Sequence, residues 1–340
     1  MQRVAVVGCG FMGQTHLEAY AALPNVEIVA AVDKSDENKR KVKERHKVRV
    51  FSSLAPVLKD EAVTIVDVCL PTHLHRKFTE KALAAGKHVL CEKPMALTVR
   101  DAMRMAEAAD QAGRYLMVAQ VLRFWPEYVK AKEIIDGGQL GRLLSMSCVR
   151  RSATPMWSEG GWLLQAQASG GAALDLHIHD TDWILYTMGR PRAVSSVGFK
   201  TERGWEQICT NYYFEERVAA SAEGSWNFAE SFPFRAGFVA MLERGQIELD
   251  SALSPSLRVY RKGAAEAEYP EIPQLVAGEA AAGGNIQALG GYFSEVKYFV
   301  ECVEKGEAPR IVTPLDGVQA VEVTLAEIKS AESGKLVKLP

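Results

Sequence analysis

The sequence has no long apolar run. Nothing in it reaches the roughly 20 residues that a membrane-spanning helix needs, so no crossing segment is expected. It also lacks an excess of either charge. Lys and Arg number 40 against 42 Asp and Glu, for a formal charge of −2. A chain this balanced carries no electrostatic footprint for nucleic acid or an anionic membrane surface, and neither is expected as a partner. Cysteine is sparse, and its six residues form no CxxC pair. Cys9, Cys69, Cys91, Cys148, Cys209 and Cys302 therefore read as reduced, mostly buried thiols of a cytoplasmic protein. No signal peptide is expected either, because Arg3–Val7 already reads as a strand. Histidine stops early, and none follows His179. His177-Ile178-His179 with Asp180 and Asp182 loosely resembles a hydrolase zinc motif. The downstream ligands of such a site are missing, so no metal is expected.

The 340 residues that are present favour two domains. Over the first 120, short apolar runs alternate with helical patterns. The runs Val4–Val7, Val26–Val32, Thr64–Leu70, His88–Cys91 and Leu116–Ala119 suit strands buried on both faces. Helices are expected between them, including His73–Ala85 and Ala102–Ala112, the latter after a Thr98 N-cap. This alternation predicts a parallel, doubly wound α/β sheet. From 121 to 340 the pattern changes. A helix Glu127–Asp136, a strand Leu143–Arg150 and a helix Ala173–Met188 are followed by closely spaced strands. These are Ala193–Lys200, Gln207–Phe214, Val218–Trp226, Ala236–Leu242, Gln246–Asp250 and Leu257–Arg261. They predict an α+β domain with a large, open, mainly antiparallel sheet. Gly263–Gly284 reads as a surface loop, and helices at Gly291–Glu304 and Leu315–Ala331 close the chain. The bare face of such a sheet invites a subunit contact.

Gly8-Cys9-Gly10-Phe11-Met12-Gly13 is a GxGxxG between the strand Val4–Val7 and a helical pattern Gln14–Ala22. Its glycines allow a tight turn and the approach of a pyrophosphate to a helix N-terminus. Asp33 stands 20 residues past Gly13, at the end of the second strand, the spacing at which a carboxylate binds the adenosine ribose. Its charge disfavours a 2′-phosphate, so NAD is the expected cofactor. Lys34 beside it and Arg40 leave NADP as the alternative, although Lys34 reads more simply as a solvated charge at a helix start.

Two further groups carry chemistry. Glu92-Lys93-Pro94 follows the apolar run His88–Cys91, which places an ammonium group at the carboxyl end of a buried strand. After Gly170-Gly171, a helix from Ala173 puts Asp175, His179 and Asp182 on one face. A carboxylate one turn before a histidine holds its ring and supports the imidazolium, which makes His179 a general acid/base candidate. Arg123, Trp157 and Trp162 are weaker candidates for contacting a substrate. Arg150 and Arg151 adjoin on a strand, so at most one of them faces a site.

Together these residues resemble the glucose–fructose oxidoreductase / inositol dehydrogenase / rhizopine catabolism (Gfo/Idh/MocA) family. The resemblance covers essentially the whole chain. Its motifs are the fingerprint, Pro71-Thr72-His73-Leu74-His75, Glu92-Lys93-Pro94, Asp175-x3-His179-x2-Asp182, and a tail Ser330–Val337 similar to the family's ending. It implies a Rossmann domain over 1–120 and a substrate-binding and oligomerisation domain over 121–340. It implies a cofactor held by Gly8, Gly10, Phe11, Met12, Gly13, Asp33, Lys34, Leu70, Pro71, Thr72, His75, Glu92, Lys93 and Gln120. The implied catalytic set is Lys93, Asp175 and His179, acting on a hydroxyl or keto carbon of a sugar, cyclitol or related polyol. A homodimer or homotetramer through the open sheet is implied as well. Two readings compete: an NAD-assisted glycosidase of the same family, and a cofactor-sensing regulator. The chain departs from the family at His177, where many members have glycine. That ring either contacts substrate or packs against the sheet, and packing is the favoured reading.

Overall fold

A computed structural model describes residues 1–273 and 289–340. The expected loop Gly263–Gly284 lies outside the described residues from 274 onward. In its described part, Glu268 bridges back to Val259.

The chain forms two compact units. The first comprises Met1–Phe124 and Trp157–Trp162 together with, among the described residues, 289–319. A single cut after residue 120 therefore does not describe it. Its frame is a parallel six-stranded sheet in the order β3-β2-β1-β4-β5-β6. The strands are β1 (Gln2–Val7), β2 (Val26–Val32), β3 (Arg49–Phe51), β4 (Ile65–Val68), β5 (His88–Glu92) and β6 (Leu116–Ala119). β3 has no counterpart in the sequence reading. It is three residues long and begins on a charge, too short for periodicity to register, and it exists by pairing Val50 with Ala31 at the sheet edge. The helices are α1 (Phe11–Ala21), α2 (Asp36–His46), α3 (Ala55–Lys59), α4 (His75–Ala84) and α5 (Val99–Ala112). Thr98 caps α5, its Oγ1 accepting the Asp101 N–H at 3.1 Å. Ser35 caps α2 in the same way through Asn38. A later helix, Gly290–Lys305, returns to pack on α1, with Tyr292 6.1 Å from His16 between ring centroids. Strand order reverses between β1 and β4, so their carboxyl ends open the crevice where such sheets bind ligands.

The second unit comprises Trp125–Met156, Leu163–Pro273 and Ala320–Pro340. Its sheet has eight strands in the order β13-β12-β11-β7-β10-β9-β8-β14, all antiparallel except the β7–β10 pair. The strands are β7 (Leu143–Ala153), β8 (Ala193–Thr201), β9 (Gly204–Tyr213), β10 (Ala219–Phe228), β11 (Arg235–Leu242), β12 (Gly245–Asp250), β13 (Leu257–Arg261) and β14 (Val337–Lys338). The helices α6 (Pro126–Asp136), α7 (Ala166–Ser169) and α8 (Ile178–Met188) belong here, as does the end of the last helix, Pro314–Ser333. Side chains alternate across the strands. Met146, Cys148, Ile208, Ala222, Phe238 and Ala240 are buried, while the opposite face leaves Val197, Tyr213, Val239 and Met241 exposed. The two arginines of β7 follow this alternation. Arg150 points into the core, and Arg151 lies on the open face with Glu223 of the adjoining β10.

Arg150 is the anchor of α8. Its Nε and a terminal nitrogen donate to the two Asp180 oxygens at 2.8 and 3.0 Å, a bidentate pair wholly inside the unit. Tyr128 of α6 and Trp183 pack edge to face over it, with centroids 4.9 Å apart.

Candidate active site

The carboxyl ends of the first sheet collect the fingerprint residues. The three glycines differ in what surrounds them. Gly8 has φ +89°, and a Cβ there would sit 2.4 Å from the Cys69 carbonyl oxygen. A Cβ on Gly13 would meet the Gly8 carbonyl oxygen at 1.8 Å. These two exist for the turn and for close packing. Gly10 has room, its nearest contact being a Glu159 oxygen at 3.5 Å, so its backbone is the one a phosphate can approach. Phe11 and Met12 beside it are partly exposed at the start of α1. Asp33 is tied to the same turn. Its Oδ2 accepts the Cys9 N–H at 2.6 Å and its Oδ1 accepts the Ser35 N–H at 2.7 Å. Lys34 is exposed.

Two polar side chains at this edge lack protein partners among the described residues. Thr72 Oγ1 is buried without a hydrogen bond, and so are both amide atoms of Gln120, a residue 1% exposed just past β6. Buried polar groups left this way are costly unless something outside the chain satisfies them. Glycine cradle, carboxylate, hydroxyl and amide thus fit a dinucleotide laid along the sheet edge.

Lys93 follows β5 at this edge. Its backbone N–H donates to Glu92 Oε2 at 3.0 Å, and the Lys93–Pro94 peptide is cis. His75 sits beneath, with Nδ1 2.8 Å from the Pro94 carbonyl oxygen and Nε2 2.6 Å from that of Leu70. Burial lowers the histidine's pKa, and a neutral ring has one N–H, so it donates to one of these two carbonyls. His75 thus lies between the Leu70 and Pro94 carbonyls, beside the segment that leads to Thr72. Arg123 is likewise placed inside its unit. It is 4% exposed, lies 3.1 Å from Asp316 and donates to the Ile311 carbonyl at 2.8 Å. That setting ties its guanidinium to the start of the last helix. Trp157 also moves. Its ring lies 5.2 Å from Phe11 between centroids, and Glu159 nearby accepts from Asn38 at 2.7 Å. The segment Trp157–Trp162, Trp162 included, belongs to the cofactor-binding unit.

In the second unit, Asp175 and His179 are partly exposed and Asp182 is 1% exposed. They do not share one regular helix. Ala173–His177 is a π-helical turn, and α8 begins only at Ile178. Such wide turns cluster at functional sites; this one carries Asp175, while His179 and Asp182 follow three residues apart in α8. His177 is wholly buried against β10, and a Cβ on Gly224 would lie 2.6 Å from its Cβ. His177 Nε2 lies 2.9 Å from Glu327 Oε2, and Thr181 Oγ1 donates to Glu327 Oε1 at 3.1 Å. The ring packs on the sheet and is held by the last helix. Glu327 and Gly224 were not singled out by sequence reasoning, because nothing local marks a partner that far along the chain.

Residues 2–120 match the model of an oxidoreductase family with an NAD-binding Rossmann fold, and residues 128–248 match the GFO/IDH/MocA C-terminal domain. The chain belongs to the Gfo/Idh/MocA oxidoreductase family. It is 26% identical to scyllo-inositol 2-dehydrogenase (NAD(+)) of Bacillus subtilis, over 99% of this chain and 96% of that one. It is 35% identical to inositol 2-dehydrogenase 2 of Saccharopolyspora erythraea, where the match spans only 44% of this chain and 45% of the relative. A levoglucosan dehydrogenase solved in complex with NADH and L-sorbose superposes with a TM-score of 0.85 at 25% identity, covering all of both chains.

Asp33 carries a testable consequence. Hydrogen bonds to a charged group contribute about 1.5–3 kcal/mol, so Asp33→Ala is expected to weaken NADH binding by roughly 10- to 100-fold. NADPH, whose 2′-phosphate this carboxylate repels, gains relative to NADH. Titration of nicotinamide fluorescence with both cofactors reads the change. An unaltered NADH/NADPH ratio would remove Asp33 from the ribose site.

Proposed function

We propose that this protein is an NAD-dependent dehydrogenase acting on a hydroxyl carbon of a sugar, cyclitol or related polyol. The observation that carries the reading is Lys93, whose backbone is fixed at the carboxyl end of β5 on the same edge as the dinucleotide cradle. The nicotinamide, when bound, supplies the hydride acceptor or donor. Lys93 binds the substrate oxygen and lowers the cost of negative charge on it. His179 takes the hydroxyl proton in oxidation and returns it in reduction, and Asp175 orients the imidazole and stabilises its cation. The polyol class is supported by the inositol dehydrogenases the chain is similar to. NAD is favoured by Asp33, whose hydrogen-bond donors here are backbone and amide N–H groups.

The bare face of the eight-stranded sheet serves self-association in this reading. Val197, Phe199, Val239 and Met241 are 46–69% exposed there, an apolar patch that a second copy would cover. The cytoplasm is the compartment that suits six free cysteines. No described helix is long and apolar enough to cross a membrane.

The deciding experiment is a panel of inositols, anhydrosugars and aldoses with NAD and NADP, followed at the nicotinamide absorbance. Reduction of NAD by at least one cyclic polyol is expected. Tight NAD binding with no reduction anywhere in the panel would overturn the reading in favour of a sensor.

A further inference from the structure

His16 lies in α1, one turn past the glycine turn, and is wholly buried. The reaction proposed above gives it no task. Its Nδ1 is 2.8 Å from Asp67 Oδ2 on β4. Its Nε2 is 3.2 Å from Glu92 Oε1 at the end of β5. The other Glu92 oxygen accepts the Lys93 backbone N–H at 3.0 Å. A continuous line of contacts therefore runs from Asp67 through His16 and Glu92 to the residue that presents the ammonium group.

The charges along this line explain why a histidine stands there. Two carboxylates taken out of water on adjacent strands repel each other and need a cation between them. Burial opposes a charge on His16, but Cys69 and Asp67 outweigh it and hold its pKa well above the ordinary histidine value. The Cys69 thiol is itself pushed up by burial and by Asp67. Burial pushes the Glu92 carboxyl up, and His16 reverses this and keeps it below the usual range. The Nε2 contact is coulombic rather than a well-aimed hydrogen bond.

We propose that His16 is a positioning residue for Lys93: its imidazolium fixes the Glu92 carboxylate, which fixes the Lys93 backbone where β5 ends. The inference rests on the catalytic reading of Lys93 and extends it to a third layer of support. A purely structural His16 would stabilise the sheet without influencing Lys93. Positioning instead couples the two, because a lysine displaced by a fraction of an ångström no longer meets the substrate oxygen.

The test uses the full-length protein and the variants His16→Gln, Glu92→Gln and their combination. Competitive acetic anhydride labelling, read by mass spectrometry, reports how Lys93 is held against the exposed Lys34 and Lys77. In folded His16→Gln, Lys93 labelling is expected to rise about threefold or more while the two references stay constant. With the substrate found in the panel, kcat is expected to fall about 10- to 100-fold at unchanged NAD affinity. The double variant should be no worse than the poorer single one, since both act through one chain of contacts. Should His16→Gln fail to fold, Glu92→Gln, which keeps an acceptor for the Lys93 N–H, reads the same coupling. Unchanged Lys93 labelling in a folded variant overturns the positioning role and leaves the catalytic reading intact. Full activity of Lys93→Ala overturns the catalytic reading, and the labelling result still stands by itself.

Discussion

Lys93→Ala and His179→Ala each lower kcat by about 10²- to 10⁴-fold, the range for a lost general acid/base or a lost electrostatic contact to the reacting oxygen. NAD affinity should stay within a few-fold of the parent in both. In the proposed reading the adenosine end is held elsewhere, by the Gly8–Gly13 turn and Asp33, whose hydrogen bonds involve neither residue. Lys93→Arg should not rescue. A planar, larger guanidinium replaces a compact ammonium at a position whose backbone is fixed by Glu92. Steady-state kinetics and nicotinamide fluorescence titration on the same preparations separate the two quantities. Full turnover by either alanine variant would remove that residue from the chemistry. A parallel loss of NAD binding would instead assign it to holding the cofactor.

The parts of this site that could be read from sequence are those in which chemistry follows from local spacing. Gly8, Gly10, Gly13 and Asp33 form one βαβ unit, so a strand, a turn and a fixed interval suffice to locate them. The place of Lys93 at the end of β5 is legible because an apolar strand precedes it and a proline follows. What sequence could not supply was the tertiary neighbourhood. His75 looks like a cofactor residue on motif grounds, and its place between the Leu70 and Pro94 carbonyls is visible only in the fold. Arg123 has Asp316 beside it, a partner far along the chain that no local spacing marks. Trp157 follows the strand β7 of the second unit but folds with the first, a detour that no local pattern signals. The turn at Ala173–His177 shows the same limit more sharply. A 3.6-residue period placed Asp175, His179 and Asp182 together. The π-helical turn ends on His177, whose neighbours Gly224 and Glu327 approach only once the sheet and the last helix are in place. Both sheets were foreseen in type, with β3 and β14 missed because two or three residues carry no period.

The second large effect is one of stability. Asp180→Ala is expected to destabilise the second unit by about 3–5 kcal/mol, the cost of removing one partner from a buried ion pair. Arg150 would be left with its charge inside the core, 5% exposed. Burial lowers the arginine's affinity for its proton and Asp180 more than restores it; a guanidinium keeps its proton in proteins even without such a partner, so the charge would remain. The remaining contact, a 3.4 Å bond to the Tyr128 hydroxyl, cannot replace two charge-assisted ones. The damage would not end at the core. Asp180 neighbours His179 in the first turn of α8, and the pair to Arg150 is what fastens that turn to β7. Activity should therefore fall before unfolding is complete, as α8 loosens. The combined change Arg150→Met with Asp180→Leu separates charge from packing. It restores an apolar pair of similar volume and is expected to recover most of the lost stability. Urea denaturation followed by tryptophan fluorescence, with Trp183 close to the pair, reads both variants. A single Asp180→Ala variant within about 1 kcal/mol of the parent would mean that water reaches Arg150 and that this anchor is not buried in solution.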